Sequence, residues 1–246
     1  MQSVSDVAEA VRDGVALEEL DLSGLDRVLE HEAGDLTCTV EAGIRLSTLQ
    51  AELAEHGQML ALDPQGDPTI GTCIAGDLHG PRSHRYGRMR DLLLGVTVVL
   101  GDGLVASSGG KVVKNVAGYD LGKLFCGSRD TLGVICRASL RLHPLPDAVA
   151  TLVSYGDADA KAGVIRRSQL VPSALDATAE RLAVMFEGSV VAVEFQLEAA
   201  RALVGGEAAG DDVWEEVRAR PRPDPAESDP VLRALHERVR LALAGR

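Results

Sequence analysis

At 246 residues, 46% hydrophobic and 25% charged, the chain has the length of one large or two small globular domains. Its net charge of −12 argues against an evenly basic nucleic-acid-binding surface. Aromatic residues make up only 3%, so Val, Leu, Ala and Ile must build the core. Residues 4–13 predict a short helix with Val4, Val7, Ala8 and Val11 on one face, ended by Gly14. Residues 17–22 (LEELDL) predict a strand. Residues 26–31 and 36–43 predict a strand pair turning at Gly34, with Leu36, Cys38 and Val40 alternating. Residues 45–56 form the clearest helix, with a Leu46, Leu49 and Leu53 stripe closed by Gly57. The Gly-, Pro- and Asp-rich block 62–87 is too long for a passive turn and reads as a binding loop. Residues 92–110 predict a hairpin around Gly101-Asp102-Gly103, 117–127 a short helix, and 131–146 a long strand stopped by prolines. Beyond Pro146, 148–155, a helix near 158–170 and 189–196 predict a small second sheet with helices. A Pro/Asp/Glu linker (221–230) then leads to a terminal amphipathic helix (229–245) bearing Leu232, Leu235, Val239 and Leu243. Mixed α and β elements with hairpins, and no βαβ repeat, predict an α+β fold.

Charge is unevenly distributed. Residues 1–63 carry 14 Asp/Glu and 3 Lys/Arg, whereas residues 80–141 carry 10 Lys/Arg and 4 Asp/Glu. Such a basic stretch inside an acidic chain suits a phosphorylated or carboxylate ligand, and equally a solvated face. The cysteines Cys38, Cys73, Cys126 and Cys136 have no CxxC spacing, so they offer no metal or iron–sulfur motif. The N-terminus has no apolar signal region and no apolar run approaches transmembrane length, which sets a cytoplasmic expectation.

Residues 36–146 concentrate glycines where main-chain amides can converge on one concave site. Any single glycine there reads better as a tight turn. The segments TIG (69–71), GGKVVKNVAGYDLGKLFCGS (109–128) and TLGVI (131–135) together are far more specific. With them the chain resembles the PCMH-type, FAD-linked oxidase family, and within it the FAD-binding subunits of bacterial glycolate oxidase. The resemblance is strong over nearly half the chain and weak at FEGSVVAVEFQ (186–196).

That resemblance implies a flavin fold of two α+β subdomains, the first shortened, within residues 1–146 (1–63 and 64–146), and a small reduced cap in 147–246. It implies non-covalent FAD. Pro64, Thr69, Ile70 and Gly71 match the family's flavin loop, and Gly80 and Pro81 the turn after it. Val116, Gly118, Tyr119 and Asp120 match the NVAGYDL element. Gly127, Ser128, Thr131, Gly133, Val134 and Ile135 match the element along the flavin, with Gly133 and Ile135 best placed to touch the ring or ribityl chain. Thr69 and Ser128 would supply hydroxyls, and Lys111, Lys114 and Lys123 positive potential. The implied function is an FAD-dependent oxidoreductase subunit acting on glycolate or another small 2-hydroxy acid. Its implied partners are a larger flavin subunit and an iron–sulfur subunit, through which it would meet any membrane. The alternative is a non-catalytic assembly subunit of that complex, without independent FAD binding.

Three departures qualify the match. The glycine-rich diphosphate loop expected between the first helix and LDLSGLD is missing, because 11–26 runs straight across with Gly14 alone. Thr72 stands for a loop glycine, a poor exchange if φ is positive there. Asp130 stands for another, where Asp tolerates the left-handed region but its carboxylate disfavours an anionic reduced flavin. No histidine cluster supplies a general base, and His79 and His84 are the only histidines in the glycine-rich block.

Overall fold

The computed structural model describes residues 1–110, 121–220, 234–239 and 241. Helix α1 (Val4–Arg12) starts where the Ser3 hydroxyl accepts from the Asp6 amide, and it buries Val4, Val7, Ala8 and Val11. Residues 17–22 are not a strand. Leu17–Glu19 make a turn of 3-10 helix, and Leu17, Leu20 and Leu22 anchor against the α1 cluster by side-chain packing rather than by a ladder. Strands β1 (Val28–Glu32) and β2 (Thr37–Glu41) pair antiparallel. Their reversal puts Leu36, not Gly34, in the left-handed region, at φ 54°.

Helix α2 (Leu46–Ala54) buries Leu46, Leu49 and Leu53, and β3 (Gln58–Met59) follows it. The glycine-rich block is ordered around α3 (Ile70–Ala75) and α4 (Ser83–Tyr86). Helix α5 (Met89–Leu92) leads into the hairpin β4 (Leu93–Val99) and β5 (Val105–Gly109). Leu121–Leu124 form a 3-10 helix, then β6 (Val134–Arg141) runs through the sheet and β7 (His143–Pro144) pairs with β3.

The first sheet is antiparallel, ordered β1-β2-β6-β4-β5. Strands from either side of residue 63 therefore share one sheet. A register shift in β6, where Arg137 faces Thr97 but Ile135 faces Val98, changes which side chains look inward. Ile135, Ala138 and Leu140 join the main core under α2, α3 and α5, while Val134 and Cys136 pack under α1 on the opposite face.

The second sheet is ordered β11-β8-β10-β9. Its elements are β8 (Ala148–Tyr155), α6 (Ala158–Arg167), β9 (Ala174–Ala177), β10 (Arg181–Gly188), α7 (Val190–Val204), β11 (Glu207–Ala209) and α8 (Asp212–Ala219). The segment 189–196, expected as a strand, begins α7 instead. Buried Val193, Ala200 and Val204 recur at helical spacing and pack with Phe186 of β10. Helices α6 and α7 cover one face, and α8 covers the other with Trp214, whose Nε1 donates to Thr151 Oγ1 at 2.8 Å. The linker 221–230 lies outside the described residues, as do Leu232 and Leu243. Residues 234–239 are helical, with Leu235 exposed and His236 buried against the Leu124 carbonyl at 2.9 Å.

The two sheets' elements meet through buried polar groups. Arg82, before α4, donates from Nε and Nη2 to Glu187 Oε1 of β10 at 2.9 and 2.7 Å, and the Glu187 side chain is fully buried. The Arg82 amide donates to Asp63 Oδ1 at 3.1 Å, and Arg218 of α8 reaches Asp63 Oδ2 at 3.8 Å.

Candidate functional site

A cavity of about 460 Å³ lies where four segments converge. The chain 17–26 forms one wall, Ala42–Arg45 the next, the start of α3 a third, and the entry to β6 the fourth. Close backbone packing fixes this convergence. The Gly43 amide donates to Leu25 O at 2.7 Å, and a Cβ on Gly43 would sit 2.1 Å from the Leu22 carbonyl oxygen. Only glycine lets these walls meet. Arg45 and Thr69 form an isolated antiparallel bridge, while the Ile70 and Gly71 amides donate to Ile44 O and Ala42 O.

Of the expected site residues, Thr69, Gly71, Val134 and Ile135 line this cavity. Ile70 lies behind them, fully buried. Gly133 precedes Val134 and packs on β4, where a Cβ would meet Val99 O at 2.7 Å. Gly127 and Ser128 lie against the far end of α3, with the Gly127 amide donating to Ile74 O, and Thr131 Oγ1 donates to Ser128 O. The Ser128 hydroxyl is buried without a partner among the described residues. Pro64 lines a different cavity, of about 520 Å³, with Asp63 and Arg218. Gly80 packs on Asp63, where a Cβ would fall 1.8 Å from the carbonyl oxygen, and Pro81 follows it. Val116, Gly118, Tyr119 and Asp120 lie outside the described residues, as do Lys111 and Lys114.

The amides expected to meet a ligand are spent within the protein. Besides those of Gly43, Ile70, Gly71 and Gly127, the Thr72 amide donates to Thr69 Oγ1, Thr131 to Ser128 O and Gly133 to Asp130 O. Between α1 and the 3-10 turn the amides of Asp13, Gly14 and Val15 donate to the carbonyls of Glu9, Val11 and Ala10, so they cap α1 rather than face a ligand. Side chains must therefore carry recognition. Thr72 sits inside α3, where no positive φ is needed, so the substitution costs no backbone strain. Asp130 takes φ 59°, as its residue type allows, and lines the cavity with its carboxyl pushed up by burial.

Glu18, Asp21, Asp26 and Asp130 also line the cavity, and Arg45 is the one cation among the described lining residues. Near Arg45 stand three hydroxyls, those of Thr48, Thr69 and Thr72. The last two are 2.9 Å apart. Reading glycines alone missed Ile44, Arg45, Thr48 and the leucines at 20 and 22. For Ile44 and Arg45 the signal was the AGIRL run (42–46), where a strand end turns directly into a helix.

Residues 3–109 match the model of the FAD binding domain family. The FAD binding domain here has the PCMH-type fold. A solved structure of alkyldihydroxyacetonephosphate synthase superposes with a TM-score of 0.64 at 21% identity, covering 80% of this chain and 44% of that one. Glycolate oxidase subunit GlcE of Escherichia coli is 33% identical over 80% of this chain and 57% of its own length. Glycolate oxidase subunit GlcD of Bacillus subtilis is 34% identical over 62% of this chain and 34% of its own. D-lactate dehydrogenase [cytochrome] 1 of Saccharomyces cerevisiae is 33% identical over 67% and 29%. The chain thus spans little more than half the length of GlcE and less of the others.

FAD is the cofactor of this domain family, and the cavity's donor set fits it. Leu20, Leu22, Ile44, Val134 and Ile135 offer apolar walls for the ring, the threonines offer hydroxyls, and Arg45 offers a cation for phosphate.

Proposed function

We propose that this chain is the FAD-binding subunit of an oxidoreductase that oxidises a small 2-hydroxy acid such as glycolate or D-lactate. The observation that carries this reading is the convergence of Thr69, Gly71, Val134 and Ile135, far apart in sequence, on one cavity of an FAD binding domain. When bound, FAD supplies two-electron acceptance. The chain's own residues bind and orient it: the apolar walls exclude water from the ring, and the hydroxyls and Arg45 hold the polar chain. In the same proposal residues 1–146 are the flavin unit and 147–246 a small cap. A larger flavin subunit and an iron–sulfur subunit complete the assembly and carry substrate chemistry, since no histidine lines the cavity among the described residues. The reading without FAD, a purely structural subunit, is not favoured, because the relatives matched are named as oxidase subunits and dehydrogenases. No described helix is long and apolar enough to cross a membrane.

The test is to purify the chain with its neighbours in the assembly and measure flavin per chain, then add D-lactate or glycolate without oxygen. Stoichiometric flavin on this subunit, bleached by the substrate, supports the proposal. A chain that stays free of flavin in the intact assembly defeats it.

A further inference from the structure

Resting on the FAD reading above, we infer that Arg45, backed by Thr48, Thr69 and Thr72, is the contact for the FAD diphosphate in this chain, and that it does by side chain what a glycine-rich loop would do by main chain. Three observations meet at this residue. First, the glycine-loop amides at the cavity, those of Gly43, Ile70, Gly71, Thr72 and Gly133, donate to groups of the protein itself. A diphosphate entering here must be met by side chains. Second, Arg45 is the only cation lining the cavity among the described residues, against four carboxylates. Those carboxylates repel an anion elsewhere on the lining and leave the Arg45 end as the place where two phosphates are tolerated.

Third, Arg45 is positioned without a direct ion pair among the described residues. Its Nη1 donates to the main-chain carbonyl of Asp67 at 2.8 Å. The Asp67 carboxylate is occupied instead by the Ser47 amide and hydroxyl, each at 2.9 Å. Those Ser47 bonds, and then the nearby Arg45 charge, hold the Asp67 carboxyl below its ordinary pKa. No direct ion pair holds the guanidinium among the described residues, so further N–H groups remain for an oxyanion. The Arg45–Thr69 bridge sets the threonine hydroxyls beside it. The carboxylates of Glu18, Asp21 and Asp26 at the other wall suit the hydroxyls of a ribose or ribityl chain, which donate to them.

Flavin fluorescence quenching tests this on the full chain, with FAD and riboflavin as parallel ligands, because riboflavin carries the ring without phosphate. Arg45→Gln keeps a donor for the Asp67 carbonyl but removes the charge. It is expected to weaken FAD about 10- to 100-fold, leave riboflavin within about 2-fold, and flatten the salt dependence of FAD binding. Arg45→Lys should recover part of the loss. Equal weakening of both ligands means that Arg45 only shapes the loop, and overturns the inference while the FAD reading stands. Unchanged FAD affinity in Arg45→Gln overturns it in the same way. A parent chain that quenches neither ligand, alone or with its partner subunits, overturns both.

Discussion

Asp130 shows how one side chain can set the properties of a cofactor site. It occupies a left-handed turn that glycine would also accept, and burial raises its carboxyl while it lines the cavity. Asp130→Gly should therefore fold normally and bind FAD more tightly, by roughly 3- to 10-fold for one repulsion removed, as read by fluorescence titration. Asp63 offers a second test at this scale. Burial, with help from Glu187 and against Arg82 and Arg218, takes its carboxyl to about 6 from an ordinary 3.8. The native state then holds the proton more tightly than the unfolded chain between those values. Its contribution to stability is fully present below pH 3.8 and is lost as pH rises through 6, by about 3 kcal/mol at most. Asp63→Asn should lack this slope when denaturant midpoints are compared between pH 4 and pH 7. Residue types announced some of this: Thr69, Gly71, Val134 and Ile135 were legible from motif. Arg45 was not, because the AGIRL run marks a strand-to-helix turn without showing which side chain meets the cavity until the bridge to Thr69 is seen.

Among the elements, those with a single strong period were readable directly. Helix α2 follows its leucine stripe, and Leu49→Ala should cost about 2–5 kcal/mol in chemical denaturation, because Leu49 is fully buried in the main core. Where two periods compete the outcome depends on neighbours. The run at 189–196 is rich in β-branched residues, yet it folds as helix because β10 already fills the sheet position and leaves a face for Val193, Ala200 and Val204 to cover. Residues 17–22 read as a strand but pack their leucines on the α1 cluster. Phe186→Ala should loosen α7 and lower stability by about 3–5 kcal/mol, since Phe186 is the largest side chain under that helix.

At the scale of the molecule, the contact between the two sheets' elements includes a buried ion pair. Removing Arg82 leaves the fully buried Glu187 carboxylate without its cation, so Arg82→Ala should destabilise the chain by about 3–5 kcal/mol. The buried Trp214 reports on that side of the molecule, and its emission should shift at lower denaturant in the variant. What the sequence determined by itself was local and chemical: the α+β character, the hairpin at β4 and β5, the α2 stripe and the kinship carried by glycines and their spacing. These depend on periodicity and on φ preferences, which neighbours along the chain express. The tertiary structure alone decided that β1 and β2 join β4, β5 and β6 in one sheet, that Gly80 and Pro64 lie with Asp63 rather than at the cavity, and that the amides of Gly43, Ile70 and Gly71 are already spent. Those outcomes turn on which distant backbone groups find each other, and pairing across a hundred residues leaves no local trace in the order of the side chains.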